Sequence, residues 1–193
     1  MDPIVRQRIG LLRPLLKDAS PEVRTTAAES IERLEGVSSI EQILHTLKTG
    51  DMGGRISAIY ALGKIGGEKA VVPLVYCAGR PEADIRAAAV EVLGNLAVPA
   101  TLTVVLERLK DDNPAIQTRA LTALGRFSSE KEILEQVRPF LASADGAREA
   151  EAAITLARLG DCSSAETIAG LLSSPHASTR QAAALALSLL PLQ

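Results

Sequence analysis

Residues 71–94 read VVPLVYCAGRPEADIRAAAVEVLG, and this stretch decides the fold. On both sides of a polar break at residues 79–84, apolar residues recur at intervals of three and four, which is the period of an α-helix. The alternating pattern of a strand is absent from the stretch. It therefore predicts two antiparallel helices, A and B, that are joined by a short turn.

The same pattern recurs in register along the whole chain. Counted from an origin in helix B, the copies follow one another at steps of 31 or 32 residues. The six origins are Arg24, Arg55, Arg86, Gln117, Glu149 and Arg180. Alanine stands three residues after each origin and a large aliphatic residue stands seven after it, while apolar residues stand eight and twelve before it. A fixed period of about 20–50 residues is typical of a stacked repeat array.

Each copy carries start and stop signals for its helices. Short polar side chains, which accept a hydrogen bond from a free backbone N–H, precede helix B in most copies. These capping residues are Ser20, Asp51, Asn113 and Asp145, and Glu82 fills the same position in the third copy. Gly66 and Gly160 follow helix B, where a left-handed residue commonly ends a helix.

The register predicts an all-α fold of about six antiparallel helix pairs that bury one shared aliphatic core. Because each repeat of such an array contacts only its neighbours, we expect residues 1–193 to form a single elongated domain. The predicted repeats cover residues 9–39, 40–70, 71–101, 102–133, 134–164 and 165–193.

Four stretches carry a resemblance to a known family: LLKDASPEVRTTAA at 15–28, ALGKIG at 61–66, LERLKDDNPAI at 106–116 and ALTALG at 120–125. They resemble the HEAT repeat, in the short form of the phycobilisome-lyase-like HEAT proteins. The resemblance implies a right-handed α-α superhelix whose B helices line the concave side.

The resemblance also implies a ladder of arginines at the origins, which bond neighbouring repeats and often an acidic residue in the turn between helices. The origins that match are Arg24, Arg55, Arg86 and Arg180. Gln117 and Glu149 depart from the pattern, and Arg119 and Arg148 lie nearby as possible substitutes.

Composition and charge exclude several classes of partner. The net charge is -2, with 21 basic and 23 acidic side chains, whereas nucleic acids and anionic membranes require a basic excess. Two cysteines are too few for a disulfide framework or a zinc cluster. The sequence shows neither an apolar run of about 18 residues nor a signal peptide. These features predict a cytoplasmic protein that binds neither membranes nor nucleic acids.

No pattern of catalytic residues emerges from the sequence. Nucleophilic catalysis needs a base beside a serine or cysteine, and the two histidines, His45 and His176, lie about four repeats apart. No set of residues suggests a metal ligand group or a cofactor site, and the His-Glu dipeptides of the iron-binding HEAT enzymes are missing. We therefore expect a protein that is not an enzyme and has no metal or cofactor. An accessory role in tetrapyrrole attachment, like that of the bilin lyases, stays open as an alternative.

The exposed side of the B helices is the predicted binding face. Its residues nine after the origin are mostly basic, and arginine is suited to binding carboxylates. The expected partner is therefore another protein or an acidic peptide. The candidate residues are Arg33, Tyr60, Lys64, Arg119, Arg126 and Arg158, with Tyr60 as an aromatic anchor. A merely solvated row of cations near helix C-termini is the competing interpretation, as is an array with no dedicated partner face.

The last repeat is unusually apolar. Residues 167–193 carry one charge, at Arg180, although a repeat array normally needs a polar cap at its ends. An uncovered apolar end usually marks a contact site. We expect a homodimer through this face, with Leu185, Leu189, Leu190 and Leu192 at its centre. Docking of another protein and continuation of the natural chain are the alternatives.

Overall fold

The computed structural model describes residues 3–192, and every regular element in this range is helical. Twelve α-helices in the described residues form six consecutive pairs, which confirms the predicted all-α fold class. They are α1 (Pro3–Leu12), α2 (Pro21–Ser38), α3 (Ile40–Thr49), α4 (Met52–Ile65), α5 (Glu68–Ala78), α6 (Ala83–Leu96), α7 (Leu102–Glu107), α8 (Pro114–Leu124), α9 (Lys131–Val137), α10 (Gly146–Arg158), α11 (Ala165–Gly170) and α12 (Ala177–Leu189). The predicted domain ends at residues 1 and 193 lie outside the described residues.

Capping side chains begin four of the B helices, as the sequence predicts. Ser20 Oγ accepts a hydrogen bond from the Val23 N–H, and the Oδ1 atoms of Asp51, Asn113 and Asp145 accept similar bonds at 2.8–2.9 Å. Glu82 precedes α6 but makes no capping bond. Its side chain is one methylene longer and lies near Arg80 instead, with the Nε and Oε2 atoms 3.5 Å apart.

Two glycines end B helices in the left-handed backbone region. Gly66 follows α4 with φ 64°, and Gly160 follows α10 with φ 72°. Residues with a side chain rarely adopt this conformation, because Cβ approaches the carbonyl oxygen. Both predicted stop signals are therefore confirmed.

Four of the A helices finish as tighter 3₁₀ turns. These turns are Arg13–Lys17, Arg108–Lys110, Arg138–Ala142 and Leu171–Ser173. Pro14 and Pro139 lie in two of them, where a missing N–H and the bulk of the ring prevent the α-helix from continuing. The α-helical part of these four A helices is therefore short, at 6–10 residues.

The predicted columns form the core. All six alanines three residues after the origins are buried. The aliphatic residues seven after the origins, Leu62, Leu93, Leu124 and Leu156, are fully buried, whereas Ile31 and Leu187 in the first and last copies are half-buried. A stacked array explains this difference, because an inner repeat is covered on two sides and a terminal repeat on one.

The chain divides into two compact units, Met1–Cys77 and Ala78–Gln193. In the first unit, α2 packs against α4. In the second, α6 packs against α8, α8 against α10, and α10 against α12. Consecutive B helices are thus neighbours within each unit. The single domain and the six repeat boundaries stay predictions.

A close helix approach in the second unit depends on Gly94. A Cβ atom placed on Gly94 of α6 would lie 2.4 Å from Ala123 Cβ and 2.6 Å from Ala123 Cα of α8. Real Cβ atoms do not come this near to another carbon atom. The glycine therefore sets the distance between α6 and α8, and with it the geometry of the surface that the two helices share.

In residues 3–192, every helix is too short or too polar to cross a lipid bilayer.

Candidate protein-binding site

A cleft of about 320 Å³ lies on the exposed side of α6 and α8 in the second unit. We call it the α6–α8 cleft. Its lining residues are Glu91 and Asn95 from α6, Thr122 and Ala123 from α8, and two of the predicted binding residues, Arg119 and Arg126. The repeat register brings these positions together, because α6 and α8 are equivalent helices of successive repeats.

Both arginines of the α6–α8 cleft are held by residues of the preceding repeat. Arg119 Nη1 donates to Glu91 Oε2 at 2.5 Å, and both side chains are partly exposed. Arg126 Nη1 donates to the amide oxygen of Asn95. Arg119 is therefore neutralised by a carboxylate, whereas Arg126 keeps its full charge at the exposed edge.

Arg158 extends this basic edge along the next repeat. It ends α10 and is exposed, and its Cδ atom would lie 3.6 Å from a Cβ atom on Gly125, which follows α8. The aliphatic stem of Arg158 thus lies near the end of α8, where Arg126 follows Gly125 in the chain. Within residues 3–192, neither Arg126 nor Arg158 forms an ion pair.

The other three predicted binding residues lie in the first unit. Lys64 Nζ is 2.6 Å from Glu32 Oε1 in an exposed ion pair. Tyr60 is 39% exposed. Arg33 lines a separate apolar groove between α1 and α2, together with Leu11, Leu12 and three further residues. The structure therefore places Arg119 and Arg126 in one cleft and Arg158 near the end of the same helix, α8, while Arg33 lies in a groove of different character.

The predicted arginine ladder takes a specific form. Arg24, Arg86 and Arg180 each direct Nη1 to the two backbone carbonyl oxygens that lie six and five residues earlier, at 2.7–3.1 Å. These oxygens belong to the turn between the A and B helices of the same repeat. Each arginine thus fixes its own turn, and Arg55 lies half-buried at the corresponding position of α4.

Arg86 also bonds the next repeat, as the resemblance implied. Its Nε and Nη2 atoms donate to the two carboxylate oxygens of Asp111 at 2.9 Å, and Nη2 donates to Asp112 at 3.0 Å. Burial alone would raise the pKa of Asp111, but the hydrogen bonds from Arg86 and from the Asn113 N–H outweigh it, and the pKa lies below its ordinary value. The hydrogen bond to Asp111 in turn raises the pKa of Arg86.

The two departures from the ladder are compensated in different ways. Gln117 Nε2 donates to the Asp111 carbonyl oxygen at 2.7 Å, which is the turn bond that arginine makes elsewhere. Arg148 Nη1 donates to Gln117 Oε1 at 2.7 Å, so Arg148 does substitute for the missing cation, whereas Arg119 does not. The buried carboxylate of Glu149 accepts a bond from the Thr179 hydroxyl at 3.3 Å.

A second ion pair, in which only the carboxylate is buried, has no counterpart in the sequence analysis. Arg138 donates from Nε and Nη2 to the two oxygens of Asp161, both at 2.8 Å, and the hydroxyls of Ser163 and Ser164 donate to the same carboxylate. The bonds from Arg138 are the main reason that the pKa of Asp161 lies far below its ordinary value. Neither residue belongs to a repeated column, so the register gives no signal for this pair.

The apolar end of the chain is largely as predicted. Leu185, Leu189 and Leu192 are exposed. Leu190 differs from the expectation, because it is buried at 9% exposure. The chain leaves the helical conformation at Leu190, which turns this side chain inward while Leu189 stays on the outer side of α12.

Comparison with known proteins agrees with this architecture. A family model of HEAT repeats matches residues 9–94 and residues 73–148. No curated protein is significantly similar to the chain in sequence.

Three solved structures share the fold. The complex of CpcE and CpcF of phycocyanin lyase from Nostoc sp. PCC7120 has a TM-score of 0.64 at 20% identity, over 78% of this chain and 98% of its own. An engineered protein has a TM-score of 0.58 at 20% identity, over 94% of this chain and 96% of its own. A second engineered protein has a TM-score of 0.54 at 18% identity, over 96% of this chain and 58% of its own. At such identities, the likeness shows the fold alone.

Proposed function

Because this chain belongs to the HEAT-repeat family, we propose that it is a non-catalytic scaffold that binds an acidic segment of another protein. The binding surface is the α6–α8 cleft together with Arg158. The observation that carries the proposal is the charge of Arg126 and Arg158, which are both exposed near the end of α8 without a carboxylate partner in the described residues.

The chemistry of this surface suits a carboxylate-rich peptide. Arg126 and Arg158 each offer a planar guanidinium that can bind a carboxylate through two hydrogen bonds. Arg119 is already paired with Glu91, so a peptide carboxylate gains less from it. Tyr60 and Lys64 lie in the other compact unit, so any role of theirs in binding is a separate proposal, with Tyr60 as an aromatic anchor.

Charge reversal at the two free arginines tests the proposal. We expect Arg126→Glu and Arg158→Glu each to weaken the binding of a fluorescent oligoglutamate peptide by roughly tenfold or more, because a favourable charge contact becomes a repulsive one. Fluorescence anisotropy at near-physiological salt measures the Kd. Single-stranded DNA serves as a competitor, and displacement of the peptide by DNA at equal charge would indicate unspecific anion binding.

A matched control is available on the same unit. Lys131→Glu makes the same change of charge at an exposed position on α9, an A helix outside the α6–α8 cleft. We expect it to leave the Kd within about twofold, since its screened charge acts at long range only. Equal losses in all three variants would identify a solvated row of cations and contradict a specific face.

The alternative function is that of an accessory protein for tetrapyrrole attachment. Its support is the fold likeness to the CpcE and CpcF complex. The aromatic residues give this alternative little support, because Tyr60 and Tyr76 are exposed and Phe127 is buried. Addition of free bilin tests it: a shifted and sharpened absorption spectrum would favour this role, and we expect an unchanged spectrum.

Self-association through the last repeat also remains a proposal. Leu185, Leu189 and Leu192 present exposed apolar surface on and after α12. Apolar surface of this kind gains free energy when a partner covers it. The sequence favours a two-fold dimer in which the α12 surfaces of two copies face one another.

A further inference from the structure

The first and last repeats expose residues that the inner repeats bury. Eight residues before the origins, Leu47, Ala78, Leu109 and Leu141 are buried, whereas Leu16 and Leu172 are 41% and 43% exposed. Leu185 is likewise 51% exposed, although Ile154, its counterpart in the preceding repeat, is 9% exposed. Each terminal repeat thus presents one half of an ordinary repeat-to-repeat contact.

The contact between the third and fourth repeats shows what completes such a half. Arg86 at the origin of the third repeat donates two hydrogen bonds to Asp111, which lies 25 residues later in the turn of the fourth repeat. The Asp111 carboxylate also accepts a bond from the Asn113 N–H at 3.0 Å, which fixes its orientation. The oriented carboxylate in one turn therefore accepts hydrogen bonds from Nε and Nη2 of the arginine in the preceding repeat, which that arginine does not use for its own turn.

Asp18 in the first repeat has the same place and the same orientation as Asp111. It lies six residues before its origin, and Asp18 Oδ1 accepts a bond from the Ser20 N–H at 2.9 Å. The residues at this position in the six repeats are Asp18, Thr49, Arg80, Asp111, Ser143 and Ser174, so only the first and fourth repeats have the acid. Within the described residues, Asp18 has no ion-pair partner.

Arg180 in the last repeat is the counterpart of Arg86. Its Nη1 atom bonds the carbonyl oxygens of Ser174 and Pro175, as Arg86 bonds those of its own turn. In residues 3–192 it forms no ion pair. Arg24 has none either, but the repeat after Arg24 offers Thr49 at the facing position. Guanidinium N–H groups without an ion-pair partner therefore do not by themselves indicate a contact. A contact is expected only where the register places an acid opposite the guanidinium.

We propose that two copies of this chain stack head to tail, with Arg180 of one copy bound to Asp18 of the next as Arg86 is bound to Asp111. A first repeat that follows the last one in register places its Asp18 at the position that faces Arg180. The same stacking covers Leu172 and Leu185 with the apolar side of α1 and of the 3₁₀ turn that follows it, where Leu11, Leu15 and Leu16 are exposed. Apolar surface and charge thus match across one contact.

This inference keeps the proposed self-association through the last repeat but replaces its two-fold form with a contact between unlike ends, and the two forms differ in their consequence. A contact between unlike ends leaves a free end on each outer copy, so that association continues beyond the dimer. We expect the mean mass in sedimentation velocity to rise with protein concentration without a plateau at two copies.

Two mild substitutions test the ion pair without removing the bonds that fix the turns. Arg180→Gln keeps an N–H donor for the turn, as Gln117 shows in the fourth repeat. It removes the charge and the two further N–H donors that would bind the Asp18 carboxylate. Asp18→Asn keeps the acceptor for the Ser20 N–H and loses the charge. Each should lower the association constant by roughly tenfold or more. Arg24→Gln is the matched control, and we expect it to associate as the wild type does.

Charge reversal gives a second, independent measurement. Asp18→Arg and Arg180→Asp should each stay monomeric alone, because like charges then meet at the contact. A mixture of the two should associate, since Arg180 of the first variant meets Asp18 of the second. Rescue on mixing is not expected of a two-fold contact through α12, which excludes Asp18.

Two results would overturn the inference. If Asp18→Asn and Asp18→Arg associate like the wild type while Leu189→Asp abolishes association, the contact is the two-fold dimer. If the wild type is a monomer at the highest concentration that stays soluble, both forms of self-association are wrong. Neither result affects peptide binding at Arg126 and Arg158, so the scaffold proposal is tested independently of self-association.

Discussion

Replacement of Asp111 by alanine is expected to lower the free energy of unfolding of the second unit by about 3–5 kcal/mol, because it leaves the Arg86 guanidinium buried without its partner. The Asp111 side chain is 3% exposed and that of Arg86 is 11% exposed, so water cannot replace the two lost hydrogen bonds. Urea denaturation followed by far-ultraviolet circular dichroism measures the loss. Asp111 also holds the Asn113 N–H at the start of α8, and this contact adds to the effect.

Asp112 provides the matched control, because it bonds the same arginine from solvent. Its side chain is 91% exposed, and it accepts from Arg86 Nη2 at 3.0 Å. Exposed ion pairs contribute little, so Asp112→Ala should cost less than about 1 kcal/mol. Equal costs for the two substitutions would show that burial does not determine the strength of this contact.

Replacement of Gly94 by alanine is expected to destabilise the second unit by about 1–3 kcal/mol, although alanine is the better helix former. The added Cβ would meet Ala123 at 2.4 Å and 2.6 Å, so α6 and α8 must move apart. Because these helices carry the α6–α8 cleft, we expect the bond between Arg119 and Glu91 to lengthen as well. The midpoint of urea denaturation reports the stability.

Gly170→Ala is the control for helix propensity. Gly170 ends α11 in the same unit, and no atom lies within 4 Å of the position that its Cβ would take. This substitution should be neutral or stabilise the unit by up to about 1 kcal/mol. If Gly94→Ala is also neutral, the helix pair is more adaptable than its close contact indicates.

The repeat register made most of the fold predictable. Columns of apolar residues at fixed distances from the origins predicted six helix pairs, and the buried alanines and leucines confirm them. Capping was predictable where the residue was Ser, Asp or Asn, since these side chains reach the N–H groups of the first turn. Glu82 shows where this prediction of capping fails: it lies directly before α6 as predicted, but its longer side chain makes no capping hydrogen bond.

Contacts between side chains that are far apart in the sequence were harder to predict. The register placed Arg86 near the next turn, and the resemblance implied an acidic partner there, which Asp111 provides. The pair of Arg138 and Asp161 lies outside the columns, and its geometry depends on how the 3₁₀ turn at Pro139 directs the chain. Pairing of this kind follows from three-dimensional offsets that a single sequence does not contain.

The candidate site was predictable in its residue types and less in its arrangement. Sequence columns gave Arg119 and Arg126, but not the preceding-repeat residues Glu91 and Asn95 that hold them. This difference matters for binding, because a cation that is already neutralised offers less to a partner. The structure therefore distinguishes Arg119, which is paired with a carboxylate, from Arg158, which has no ion pair within residues 3–192. The binding role of both is a proposal.

Gln117 shows that one column of the repeat can take two residue types. The amide anchors its turn through the carbonyl oxygen equivalent to those that a guanidinium holds in other repeats, and it carries no charge. Anchoring of the backbone thus does not require a charged side chain at this column. Repeats of one array can therefore differ in the charge of this side chain while the turn is held by an equivalent bond.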